Sequence, residues 1–176
     1  MREESEVQSA RAIDVRDLLA SPGSSRELHQ EERFEGLESE LAEVPADIPI
    51  RIDVLLESVV EGILVTGPLS GRIDYLCARC LKPFSGDLRV EVTELFAGQP
   101  EEEVDDYLVR EGAIDLEPMV RDAVMLAMPF SPLCREDCLG LCERCGGDRN
   151  LGECACPPPV DARWEPLGRL GLDRSP

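Results

Sequence analysis

From Ile48 onward the chain alternates apolar and polar residues. "IPIRIDVLLESVVEGILVTGPLSGRIDYLC" is rich in β-branched side chains, and after a short break "LRVEVTELF" alternates again. A period of two puts successive side chains on opposite faces of a strand, so this pattern predicts antiparallel strands over about residues 48–96. Leu88, Val90, Val92 and Leu95 are expected close to one face, and the breaks at Gly62, Gly67–Pro68 and Gly71 read as turns between strands. The period then changes. Leu116, Met119, Val120, Ala123, Val124, Ala127 and Met128 recur at intervals of three and four, which predicts one amphipathic helix. Asp115 is placed to cap it, Pro118 falls in its first turn, and Pro129 ends it.

The flanking segments are less regular. "IDVRDLL" reads as a short strand or a helical turn before the turn-former "SPGSS". "RELHQEERFEGLESELAEVP" is highly charged with weak helical spacing, and no regular structure is expected there. "AGQPEEEVDDYLVREGA" reads as a solvated loop with Glu101, Glu102, Glu103, Asp105 and Asp106 at its tip; it lacks the ligand spacing and glycine of a calcium loop. The tail "PPPVDARWEPLGRLGLDRSP" offers Trp164 and Leu167 as its anchors. The predicted fold class is α+β: a small antiparallel β-sheet or meander packed on one main helix, with a cysteine-rich zinc-binding module near the C-terminus. Residues 1–47 are expected to be an acidic, partly ordered segment, 48–133 the sheet and helix, and 134–176 the cysteine module and tail, with 48–170 forming one domain.

Composition sharpens this picture in two ways. The chain has 176 residues, is 43% hydrophobic and only 4% aromatic, so its core must be built mostly from Leu, Val, Ile and Ala. Its longest apolar run, "AVMLAMPF", falls far short of the roughly 20 residues a membrane span needs. The opening "MREESEVQSARAID" has no apolar core of a secretion signal, so a cytoplasmic location and no membrane partner are expected. With 18 basic and 37 acidic residues the net charge is −19, and most of the excess lies before the cysteine-rich segment. Such a chain is repelled by a phosphate backbone, which disfavours generic nucleic-acid binding and suits either a solvated surface or a basic partner. His29, the only histidine, sits among Glu and Gln and reads as a surface residue.

Eight cysteines carry the chemistry. Cys77/Cys80 and Cys142/Cys145 have C-x2-C spacing, Cys134/Cys138 is C-x3-C, and Cys154/Cys156 is C-x-C. In a reducing compartment, close thiol pairs point to metal ligands more than to disulfides. Four pairs are what two tetrahedral zinc ions need, each held by four cysteines. Cys142, Cys145, Cys154 and Cys156 close a local loop at small entropic cost, leaving Cys77/Cys80 to be completed by Cys134/Cys138. The swapped grouping, Cys77/Cys80 with Cys142/Cys145, is the alternative. Arg79 and Arg144 lie inside C-x2-C pairs, with Lys82, Arg135 and Arg149 nearby. These cations either temper the negative charge of the thiolate centres or contact phosphate or another partner group. An all-cysteine ligand set with no nearby histidine leaves no open catalytic position, so the sites are expected to be structural and the protein not an enzyme. Iron is chemically possible in such a set, but zinc is the default.

Taken in order, "YLCARCLKPF", "AIDLEPMVRDAVMLAMPFSPLC", "CLGLCERCGGDRNLGECAC" and "DARWEPLGRL" resemble the YceD-like family, named for large-subunit ribosomal RNA accumulation. The resemblance covers about residues 48–170, with the family's C-x-R-C falling on Cys77, Arg79 and Cys80. One departure is visible: Arg149-Asn150 stands where the family often has Leu-Asn. The resemblance implies a part in the synthesis, processing or stability of large-subunit ribosomal RNA, and carries no catalytic activity. Combined with the charge, it leads to an expected partner, a basic ribosomal protein or large-subunit assembly intermediate, with ribosomal RNA touched indirectly or weakly. The rival classes are a C-x2-C thiol-redox protein and a generic zinc-stabilised interaction adaptor.

Overall fold

The structure is a computed structural model that describes residues 12–99, 107–152, 154–157 and 163. Its elements in chain order are β1 (Ala12–Asp14), α1 (Arg16–Leu19), β2 (Ser25–Glu32), β3 (Ala42–Glu43), β4 (Ile50–Ser58), β5 (Gly62–Leu76), β6 (Pro83–Ala97), β7 (Ala113–Asp115) and α2 (Glu117–Ala127). A one-turn 3-10 helix, Arg149–Leu151, follows in the cysteine-rich segment. The strands β2, β4, β5 and β6 lie side by side, all antiparallel, and β3 pairs with β5 beyond the end of β4. β1 and β7 form a separate two-stranded ribbon. The architecture is thus α+β, mostly antiparallel sheet with one modest main helix.

The alternation seen in the sequence decides which face is buried. On β4, Ile50, Ile52, Val54 and Leu56 point inward, and on β5 Ile63, Val65, Leu69 and Ile73 do the same. Leu116, Met119, Val120, Val124 and Met128 bring α2 onto that face, while Ala127 lies on the exposed side of the helix. Asp115 ends β7, and its Oδ1 accepts the Glu117 amide at 3.0 Å. It therefore satisfies one orphan donor of the helix from one position before the N-cap, Leu116.

Three expectations are corrected. Gly67–Pro68 and Gly71 are not turns: β5 runs straight through them, in unbroken register with β6 from Gly62↔Ala97 to Leu76↔Pro83. Gly67 is there because a Cβ would stand 2.3 Å from the Asp53 carbonyl oxygen of β4. On β6 the inward set is Leu88, Val92 and Phe96 with half-buried Val90, whereas Leu95 is exposed. The segment 25–32, expected to be irregular, is the edge strand β2, paired with β4 from Ser25↔Glu57 to Glu32↔Ile50. The loop after it adds Phe34 and Leu37 to the core, and Ala42 and Val44 follow. Arg121 of α2 holds this loop in place: it donates to the Glu35 carbonyl at 2.7 Å and its guanidinium lies 5.9 Å from the Phe34 ring centre. Pairing and packing thus cross the boundary drawn at residue 47. The acidic tip 101–106 and the anchors Trp164 and Leu167 lie outside the described residues.

Candidate metal centres

At the end of the β5–β6 hairpin the chain turns through Cys77 and Cys80. Cys77 N–H donates to the Lys82 carbonyl at 3.0 Å, and Leu81 N–H donates back to the Cys77 carbonyl at 2.9 Å. Cys142 and Cys145 repeat this pattern: Cys142 N–H bonds to Gly147 O at 2.9 Å and Gly146 N–H to Cys142 O at 2.8 Å. The residue after each second cysteine is left-handed, Leu81 at φ 58° and Gly146 at φ 72°. Two C-x-R-C knuckles of the same backbone form therefore stand at the two centres. Glycine takes the left-handed position freely in the second, while Leu81 holds it at a steric cost in the first.

The eight thiols gather into two tetrads, Cys77/Cys80/Cys134/Cys138 and Cys142/Cys145/Cys154/Cys156, and within each every Sγ lies within 4.8 Å of the others. This is the local grouping rather than the swapped one. All eight are free thiols. In the first tetrad Cys77 Sγ is 3.8 Å from Cys138 Sγ, and Cys80 Sγ is 3.7 Å from Cys134 Sγ. A tetrahedral ion with metal–sulfur bonds of about 2.3 Å has sulfur–sulfur edges of about 3.8 Å, so the donor set fits a four-thiolate ion. Each of the two groups could hold a metal ion.

Electrostatics point the same way. Burial opposes ionisation of Cys77, but N–H donors of Cys134, Cys80 and Arg79 outweigh it and lower the thiol to about 6. The Cys145 and Arg144 amides lower Cys142 to about 6. Desolvation and the thiols of Cys77 and Cys80 push Cys134 up to about 12, and the thiols of Cys145 and Cys154 push Cys156 up to about 12. One sulfur in each tetrad ionises readily and then holds another in its protonated form. A divalent cation at the centre removes that conflict.

The cations flanking the sulfurs divide into two sets. Arg79 is committed to the fold, donating to the Cys138 carbonyl at 2.8 Å and to the Glu136 carbonyl at 3.5 Å. Lys82 pairs with buried Asp148 at 2.6 Å, and that ammonium, with the Asn150 donors, lowers the Asp148 carboxyl to about 2. Arg144 and Arg149 are exposed. A residue absent from the sequence-based candidates joins the two centres. Asn150 donates from Nδ2 to Cys138 Sγ at 3.6 Å and to Asp148 Oδ1 at 2.8 Å, and its Oδ1 accepts from Leu139 N–H and from Arg135. The only advance sign of it was an Asp-x-Asn spacing right after a C-x2-C-G knuckle. Gly140 completes the junction, its φ of 74° and a Cβ position 2.9 Å from the Arg79 carbonyl oxygen leaving room for no side chain.

Fold and site define a class: an antiparallel-sheet protein with two closed, all-thiol tetrads, one bridging the sheet hairpin to the segment after its helix. The chain belongs to the YceD family, described as "Large ribosomal RNA subunit accumulation protein YceD", whose sequence profile matches residues 65–171. It is 37% identical over 168 residues to an uncharacterized protein of Mycobacterium tuberculosis (strain ATCC 25618 / H37Rv), covering 92% of this chain and 81% of that one. An uncharacterized protein of Mycobacterium leprae (strain TN) is 39% identical over 114 residues, 61% of this chain and 52% of the other. No solved structure matches the chain. Among the described residues no helix is long and apolar enough to cross a membrane.

Proposed function

We propose that this protein is a non-enzymatic, zinc-binding accessory factor of the cytoplasm that supports synthesis, processing or stability of large-subunit ribosomal RNA. It acts by binding a basic ribosomal protein or an assembly intermediate, and touches the RNA indirectly or weakly. The observation that carries this reading is the pair of closed four-thiol centres in a chain of this family: every ligand is a sulfur, and a closed site fixes shape rather than activating water. The net charge of −19 supports a basic protein partner over a phosphate backbone. The thiol-redox rival is disfavoured because Cys77 follows a strand rather than opening a helix, and each C-x2-C pair faces a second thiol pair.

Sedimentation of a low-salt cell extract tests the reading. The protein is expected to migrate with large-subunit precursors and to be absent from mature ribosomes. Sedimentation only at the top of the gradient, with no basic ribosomal protein recovered on it, overturns the reading. Direct RNA contact has its own test. Charge reversal at Arg144 and Arg149, which are exposed, would weaken RNA binding and flatten its salt dependence if RNA were held there. Arg79 is unsuitable for this test, because its loss would loosen the Cys138 loop.

A further inference from the structure

Among the described residues the sheet ends on β6, and the outer side of that strand is open from Ser85 to Leu95. β5 and β6 pair without a slip, so the two-residue alternation of β6 is continuous along its length. Ala97 shows which way it points: its N–H bonds to the Tyr107 carbonyl at 3.0 Å and its C=O accepts from Val109 at 2.9 Å, both away from β5. Ser85, Asp87, Arg89, Glu91, Thr93 and Leu95 therefore also turn their amide and carbonyl groups outward. Among the described residues nothing pairs with them. The open stretch is bounded by the contact at Ala97 and by Pro83, which has no N–H to offer. Its midpoint is Val90.

We propose that β6 pairs with β6 of a second copy of this chain, antiparallel about a two-fold axis at Val90, so that the two sheets become one. In that register Arg89 lies opposite Glu91 of the second copy, and Glu91 opposite its Arg89. Asp87 faces Thr93 and Ser85 faces Leu95. On the other face Val90 meets Val90, and Leu88 meets Val92. Charge complementarity selects this register over its neighbours. A shift that centres the pairing on Glu91 sets the two Glu91 carboxylates against each other. Centring on Arg89 opposes the two guanidinium groups and brings Asp87 onto Glu91. Arg89 and Glu91 are exposed and, among the described residues, have no ion-pair partner in their own chain. A long straight edge without a bulge or interior proline pairs readily with another strand, and a symmetric partner closes it without leaving a new edge to propagate.

Sedimentation equilibrium of the full chain over a rising concentration series tests the proposal. The native protein is expected to dimerise. Arg89→Glu alone, or Glu91→Arg alone, reverses both central pairs and should weaken the dimer by roughly tenfold or more. An equimolar mixture of the two variants should restore native affinity, since the two chains then carry complementary charges at both pairs. Both positions are exposed, and unchanged thermal unfolding of the monomer checks that the fold is intact. A native chain that stays monomeric throughout overturns the proposal. So does a mixture that associates no better than either variant alone.

Discussion

Asn150 is where the two centres meet, and replacing it tests whether they behave as one unit. Truncation to alanine removes the Nδ2 contacts to Cys138 Sγ and Asp148 Oδ1, and the Oδ1 contacts to Leu139 N–H and Arg135. The Arg135 and Leu139 bonds are exposed and water replaces them at little cost. The other two contribute about 1 kcal/mol each, the usual net value of a hydrogen bond in a folded protein. Asn150→Ala is therefore expected to destabilise the protein by about 2 kcal/mol, lowering the unfolding midpoint by roughly 4–8 °C for a chain of this size. Loss of a partner that orients a ligand should also weaken metal binding at the Cys138 centre by roughly 10–100-fold.

Asn150→Asp is a harsher test. The aspartate keeps an acceptor for Leu139 and Arg135, but it removes the N–H donors to Cys138 Sγ and Asp148 Oδ1 and sets a carboxylate against the buried Asp148 carboxylate, beside a four-thiolate centre. It should be no more stable than alanine and bind metal more weakly. Competition against a chelator, read beside thermal unfolding of the zinc-loaded full chain, measures both. If Asn150→Asp keeps native metal affinity, the sulfur contact contributes nothing. If Asn150→Ala changes neither stability nor metal release, the two centres are independent.

Three further outcomes are expected. Protein purified without chelator should carry two zinc ions, and a chelator should strip the Cys142/Cys145/Cys154/Cys156 centre first: each centre has one exposed thiol, Cys134 or Cys145, but Cys77, Cys80 and Cys138 are buried while Cys142, Cys154 and Cys156 are only half-buried; release in a single phase counts against this order. Gly67→Ala should cost more than about 2 kcal/mol in chemical denaturation, since the new Cβ would stand 2.3 Å from the Asp53 carbonyl oxygen at a backbone φ of 145°; an unchanged midpoint would mean that β4 and β5 separate there easily. The Asp53 carboxylate, 2.8 Å from His29 Nδ1, raises the His29 pKa above its ordinary 6.5. The contribution of that pair is thus complete below the unfolded value and is lost as pH rises through the folded one. NMR titration should show the His29 pKa falling in Asp53→Asn, and no fall would refute the pairing.

What could be read in advance followed from periodicity and spacing. β4 announces itself because its inward residues, Ile50, Ile52, Val54 and Leu56, are all apolar. β2 does not, because Leu28 is the sole apolar residue among its half-buried positions Arg26, Leu28, Gln30 and Glu32. An edge strand with polar side chains on both faces leaves no period to detect, and its position is fixed by ladder bonds to β4 and by the Phe34 loop. Gly67–Pro68 misled for the opposite reason. Their local preference is for turns, but in β5 the glycine answers a close backbone approach that only the neighbouring strand reveals. The thiol grouping was legible because loop length alone separates a local tetrad from a long-range one. Asn150 was not, because its partners Arg135, Cys138 and Leu139 precede the second knuckle and meet it only once that loop folds back.

The two knuckles share a backbone form, yet they serve the fold differently. In the first centre Cys77 and Cys138 are 61 positions apart, and Cys80 and Cys134 are 54. The second closes wholly within 142–156. The entropy of loop closure rises with the logarithm of loop length, so an ion in the first centre removes more freedom from the unfolded chain. It would also tie the β5–β6 hairpin to the segment leaving α2, reinforcing the bonds from Ala78 N–H to the Pro132 carbonyl at 2.8 Å and from Arg79 to the Cys138 and Glu136 carbonyls. An ion in the second centre would shape only its own loop, but that loop presents exposed Arg144, Arg149 and Leu151 and is fastened to the first centre through Asn150 and the Lys82–Asp148 pair. Under the proposed function, the first centre holds the domain together and the second sets the surface a partner meets. Emptying the second should then abolish partner binding while leaving the sheet folded, whereas emptying the first should unfold the hairpin end and lose both.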